Sequence, residues 1–140
     1  MKINFTHNHY VRVRYSETDQ MGYCYYGNYA SFLEIGRVEA LRALGISYKR
    51  LEENGVILPV SEYQIKYHSP AYYDDMLLIQ TKISSVQGVR IFFDYLIFNE
   101  DQVLLATAST VLVFIATATQ KPIAPPKELL FIIQSYAIQE

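Results

Sequence analysis

The chain of 140 residues has no tryptophan, one cysteine, five prolines and six glycines. A lone cysteine cannot form an internal disulfide, which points to a reducing, cytoplasmic setting. There is no basic surplus: 12 Lys and Arg stand against 14 Asp and Glu, for a formal charge of −2. Nucleic-acid binding needs a clustered basic face, so that class is excluded. No charge run is long enough for an acidic or basic tail. The longest candidate apolar run, Val111 to Ala116, is too short to cross a bilayer. The opening MKINFTHNHY has no apolar signal-peptide core. Internal repeats and low-complexity segments are absent. What remains is a chain with 51 % hydrophobic residues and 13 tyrosines, enough for the core of one domain over residues 1–140.

Periodicity orders the chain. HYVRVRY (9–15) alternates, with His9, Val11, Val13 and Tyr15 on one face, and predicts a half-buried strand. A loop over 16–27 follows. From Asn28 the period becomes helical: Tyr29, Phe32, Leu33, Gly36, Ala40, Leu41 and Leu44 fall at three- and four-residue steps. Asn28 suits the N-cap and Gly45 the stop. Gly36 and Ala40 on the apolar stripe predict close packing against a flat partner, most simply a sheet. Ser47 suits the cap of a second short helix ended by Asn54-Gly55. Four strands are then predicted, over 56–67, 76–86, 90–98 and 103–116, with Pro59 marking an edge or a bulge. Gln87-Gly88 and 99–102 are the turns between them. A Pro-rich tail ends in an apolar stretch that suits a last short helix. One early helix and an antiparallel sheet make an α+β domain whose open edges invite a partner subunit.

The loop YSETDQMGYCYYGNY (15–29) concentrates the chemistry. Asp19 stands among tyrosines just before the helix start; by spacing alone it is an ordinary turn carboxylate. Glu17 is its rival, expected solvated or paired with Arg12 or Arg14. Cys24 has no base near it in sequence and suits a small buried filler better than a nucleophile. His7, His9 and His68 lack metal-ligand spacing. Glu34 and Arg37, three apart on a helix, suit an ion pair. Ser61-Glu62 has no nucleophile elbow around it.

The arrangement Tyr15-Ser-Glu-Thr-Asp19, Gly22, Tyr25-Tyr26-x-Asn28-Tyr29, then Glu34 and Arg37, resembles the hotdog-fold acyl-CoA thioesterases of the 4-hydroxybenzoyl-CoA thioesterase-like family. The segment YHSPAYYDD (67–75) resembles that family's second motif. The likeness covers about residues 8–125, leaving 126–140 as a tail. It implies a five-stranded antiparallel sheet wrapped round the long helix, and homodimers or homotetramers with active sites at the subunit interface. It implies hydrolysis of an acyl-CoA to a carboxylic acid and free CoA, with no cofactor beyond the substrate's own coenzyme A, no metal and no membrane. It assigns catalysis to Asp19 as nucleophile or general base, and an oxyanion-binding N–H to the helix start at Tyr26 and Gly27. Many members carry His seven residues after the Asp, where this chain has Tyr26. Tyr15, Tyr25, Asn28 and Tyr29, with Tyr23, are expected at the substrate, and Ser61 and His68 within reach of it. Arg90, Lys66, Lys82, Lys121 and Lys127 are compositional candidates for the CoA phosphates. Glu34 is the alternative catalytic carboxylate. Two other readings stand beside hydrolysis: a module that binds acyl-CoA or acyl carrier protein without turnover, and a hotdog dehydratase.

Overall fold

The computed structural model describes residues 1–139; the last residue of the expected tail, Glu140, lies outside the described residues. In chain order the elements are β1 (Lys2–Arg12), α1 (Tyr29–Ala43), α2 (Tyr48–Glu53), β2 (Val56–Ile57), β3 (Val60–Tyr67), β4 (Met76–Gln87), β5 (Arg90–Phe98), β6 (Leu104–Val113), β7 (Ile115–Ala116), β8 (Lys121–Pro122) and α3 (Lys127–Gln134).

β1 begins and ends earlier than the expected strand over 9–15. Its inward alternation of Ile3, Phe5, His7, His9 and Val11 reaches almost to the N-terminus, and β4 pairs with it along that length. The chain leaves the sheet after Arg12, and Tyr15–Glu17 form a 3₁₀ turn in place of a strand end. The expected strand over 56–67 divides at Pro59, which has no N–H to give a ladder. The expected strand over 103–116 divides at Phe114, which is fully buried and whose N–H donates to Val89 O (2.9 Å) instead of to a sheet neighbour. The fragments β2 and β7, with β8, make a separate three-stranded sheet.

The main sheet has five strands in the order β1-β4-β5-β6-β3, all antiparallel. This is the expected α+β hotdog architecture, one long helix on a five-stranded sheet. Two tight hairpins build its centre, and β1 and β3 close on either side. β3 is therefore an edge strand, as Pro59 suggested. The inner face presents Leu77, Ile79, Thr81 and Ile83 on β4 and Ile91, Phe93, Tyr95 and Ile97 on β5, all buried. Against them α1 buries Phe32, Leu33, Gly36, Ala40 and Leu41. On the outer face, cross-strand rows run Lys82–Asp94–Ser109–Gln64 and Gln80–Leu96–Thr107–Lys66.

Gly36 explains how closely helix and sheet approach. A Cβ built there would lie 2.5 Å from Thr81 Oγ1 and 2.7 Å from Ile79 Cγ2. Both are β-branched side chains of a central strand, with little freedom to move. Gly45, at φ +84°, ends α1 in a left-handed conformation, its N–H donating to Arg42 O. Ser47 Oγ accepts the Arg50 N–H at 3.4 Å and starts α2.

The expected Glu34–Arg37 ion pair does not form among the described residues. Glu34 faces outward, whereas Arg37 is buried at 9 % exposure beside the phenols of Tyr95 and Tyr48. Its position on the apolar stripe, between Gly36 and Ala40, carries it inward. Of the two expectations for Glu17, the pairing with an arginine holds, with Arg14, and the solvated one does not: the residue is buried at 8 % exposure.

Two core groups link the fold to pH. Burial pushes the Cys24 thiol up to about 11, with the Glu17 and Asp19 charges adding to it. Burial likewise pushes the Tyr29 phenol up to about 12. Both groups stay neutral in the folded chain after they would ionise in the unfolded one. The unfolded state then binds fewer protons, so stability falls as pH rises.

Gly36→Ala is expected to lower stability by about 1–2 kcal/mol, overpacking outweighing the gain in helix propensity. Urea unfolding followed by circular dichroism checks this; an unchanged or raised midpoint would show that the helix moves away at no cost. Thermal midpoints measured across pH should stay level up to about pH 9 and decline from there towards pH 11, with Cys24→Ala removing the first part of the decline.

Candidate active site

The two sequence motifs hold each other in place. Backbone bonds run from Val13 N–H to Asp75 O (2.9 Å), from Asp74 N–H to Val13 O (2.9 Å) and from Cys24 N–H to Ala71 O (2.7 Å). Ala71 is fully buried, which is why a small residue follows Pro70. The loop 15–29 is also closed on itself. An isolated bridge joins Thr18 to Cys24, and Asp19 N–H donates to Tyr23 O at 3.1 Å. Glu17 anchors it at both ends. Its carboxylate accepts the Arg14 N–H at 2.7 Å, and its carbonyl accepts both the Tyr25 N–H and the Asn28 Nδ2–H at 2.8 Å.

Asn28 occupies the N-cap position, but its side chain does not cap the helix. It ties the helix start to Glu17 instead. A 3₁₀ turn at Tyr26–Asn28 leads into α1. Among the described residues no acceptor takes the Tyr26 or Gly27 N–H, so these donors stand free at the positive end of the helix. A Cβ on Gly27 would meet the Tyr25 ring at 2.7 Å, so glycine allows that ring to fold back across the turn.

Asp19 is half-buried. Its Oδ1 accepts the Met21 N–H at 2.9 Å, an Asx turn that fixes the carboxylate while leaving Oδ2 uncommitted. It shares a depression of about 480 Å³ with Tyr15, Thr18 and Tyr73, where the Tyr15 and Tyr73 rings meet edge to face at 5.4 Å. A second cavity, of about 510 Å³, is walled by Tyr23, Tyr26, Tyr29 and Tyr67, with Met21, Cys24 and Pro70. Tyr29 stands edge to face with Tyr67 at 5.0 Å, and the Tyr67 hydroxyl reaches Tyr26 O at 3.5 Å. The Tyr25 phenol is raised, first by its hydrogen bond with the Tyr26 phenol; the Tyr67 phenol is raised by burial.

His68 is at the rim of this cavity, its Nε2 2.9 Å from Thr107 Oγ1. Ser61 lies beside the bulge in β3, its hydroxyl bonded to Val111 O, and Arg90 opens β5; neither lines the two cavities around the loop. Tyr67, Met21 and Pro70 are walls that the pattern of residue types did not single out. Tyr67 was visible as the first residue of the second motif, but only the turn after β3 aims it at α1.

The thioesterase superfamily model matches residues 21–106. The acyl-CoA thioester hydrolase YbgC of Escherichia coli O6:H1 is 37 % identical over 120 residues, 86 % of this chain and 90 % of that protein. The DHNA-CoA thioesterase of Staphylococcus aureus has the same fold, with a TM-score of 0.90 at 31 % identity over 94 % of this chain and 90 % of that one. A 1,4-dihydroxy-2-naphthoyl-CoA thioesterase from Synechocystis superposes with a TM-score of 0.85 at 26 % identity, covering 92 % and 96 % of the two chains. A loop that pairs a fixed carboxylate with a helix start, on this sheet and with these relatives, places the chain in the thioesterase superfamily as a hotdog-fold thioester hydrolase.

Proposed function

We propose that the protein hydrolyses acyl-CoA thioesters to a carboxylic acid and free CoA, with Asp19 as the reacting carboxylate. One observation carries this reading. A single hydrogen-bonded loop holds the Asp19 carboxylate at one end and the unpaired N–H groups of Tyr26 and Gly27 at the other. The thioester carbonyl sits at those N–H groups, where the developing oxyanion meets donors and the helix dipole. Asp19 Oδ2 takes a proton from water as it attacks, or attacks the carbonyl itself and is released by water in a second step. The thiolate of CoA leaves. Tyr26 needs no proton-transfer role: its backbone binds the carbonyl and its ring walls the acyl site beside Tyr29 and Tyr67.

The Asp19 depression and the tyrosine cavity share no lining residue in one chain. A second copy that pairs along β3, an edge strand exposed at nearly every residue, extends the sheet and completes the site between subunits. The protein therefore works as a homodimer or a dimer of dimers. Among the described residues no helix is long and apolar enough to cross a membrane. The lone thiol suits the cytoplasm. The only group the reaction needs besides water is the coenzyme A of its substrate.

Asp19→Asn keeps Oδ1 as the acceptor for Met21 N–H and removes the charge. Thiol release from a panel of short, long and aromatic acyl-CoAs is expected to fall by about a hundredfold or more, with the circular dichroism spectrum unchanged. Full activity in the variant would transfer the role to Glu34. Single-turnover hydrolysis in H₂¹⁸O separates the two routes: label appearing in Asp19 marks direct attack.

A further inference from the structure

The outer face of the sheet carries a concavity of about 680 Å³, larger than either cavity at the loop. Its size is that of a small-ligand site. Lys66 on β3 and Lys82 on β4 stand at its two sides, with Gln64 and Gln80 beside them on the same strands and the hydroxyls of Thr107 and Ser109 on β6 between. Neither lysine has an ion-pair partner among the described residues. Asp94 is the one carboxylate in the concavity. It stands opposite Lys82 in the ladder, so the Lys66 side is the more positive.

His68 connects this concavity to the loop. It follows the last residue of β3 and lines both the outer concavity and the tyrosine cavity. The two cavities therefore adjoin at His68, just past the C-terminal end of β3. Lys121, Lys127 and Arg90, the other cations that composition offered, line neither of them. A CoA thioester needs a site of this form: an acyl group at one end, a flexible arm, and a nucleotide bearing a diphosphate and a 3′-phosphate at the other. Lys66 and Lys82 are three strand spacings apart and offset by two residues along the strands, about 16 Å in all, a span that two long flexible stems can bracket around a nucleotide.

Resting on the proposed acyl-CoA hydrolysis, we infer that the outer concavity binds the phosphate-bearing nucleotide of the substrate, with Lys66 and Lys82 as its cations and His68 at the bend of the arm. The arm turns at His68, and the phosphates take charge-assisted hydrogen bonds from the two ammonium groups.

The test compares one acyl group carried on CoA and on pantetheine, which lacks the nucleotide. In Lys66→Gln/Lys82→Gln, KM for the CoA ester should rise roughly tenfold or more with kcat retained, while the pantetheine ester is turned over as by the wild type. Lys49→Gln, an exposed lysine far from the concavity in sequence, serves as the charge control. An unchanged KM for the CoA ester, or an equal loss on both esters, would overturn the assignment. If the wild type hydrolyses no CoA ester, the proposed function fails separately. Calorimetric binding of CoA then decides the nucleotide site: weaker binding in the double variant supports it, and equal binding refutes it.

Discussion

The approach of α1 to the sheet at Gly36 sets the rest of the molecule. With no side chain there, the helix backbone comes down onto Ile79 and Thr81, and Phe32, Leu33 and Leu41 enter the inner face. Any larger residue would hold the helix away and open voids along its whole contact, because a close-packed interior has no slack to absorb the displacement. The same seat fixes the N-terminal end of α1, where the unpaired N–H groups of Tyr26 and Gly27 stand. The core packing and the placement of the helix start thus depend on one steric fit.

A second constraint holds the loop to that helix start. The backbone of the 67–75 segment bonds to Val13 and Cys24, and the Glu17 carbonyl gathers both Tyr25 and Asn28. Glu17, the carboxylate that sequence pattern set beside Asp19, is consumed in this architecture: it is buried and paired with Arg14. Asp19 spends only one oxygen on its turn. Two carboxylates two residues apart thereby acquire different surroundings, one buried and paired, the other with an oxygen uncommitted.

The inner face also contains polar groups at a cost. Arg37 Nε, Tyr48 Oη, Thr81 Oγ1 and His7 Nδ1 are buried without hydrogen-bond partners among the described residues. Thr81 opposes His7 across the β1–β4 ladder and is the residue against which Gly36 packs. Burial works against the Arg37 charge, and the phenols of Tyr95 and Tyr48 favour it. An unsatisfied buried polar atom costs about 1–3 kcal/mol, so the close seat of α1 is held against a local penalty.

Much of this was legible in the residues. The 3.6-residue stripe with Gly36 and Ala40 determined a helix pressed on a sheet, alternation determined the central strands, and Pro59 marked an edge. The loop motif drew attention to Asp19 and the helix start only through its resemblance to a known family; by spacing alone Asp19 is an ordinary turn carboxylate. Tertiary structure alone decided what depends on contacts distant in sequence. It extended β1 to the N-terminus by pairing with β4, turned Arg37 inward away from Glu34, and buried Glu17. It also separated the Asp19 depression from the tyrosine cavity, and set His68 at the border of that cavity and the outer concavity. Local pattern specifies which way a side chain faces on its own element. Which groups then meet is set by the order of strands in the sheet, and residues as far apart as Tyr29 and Tyr67 come together only when that order is complete.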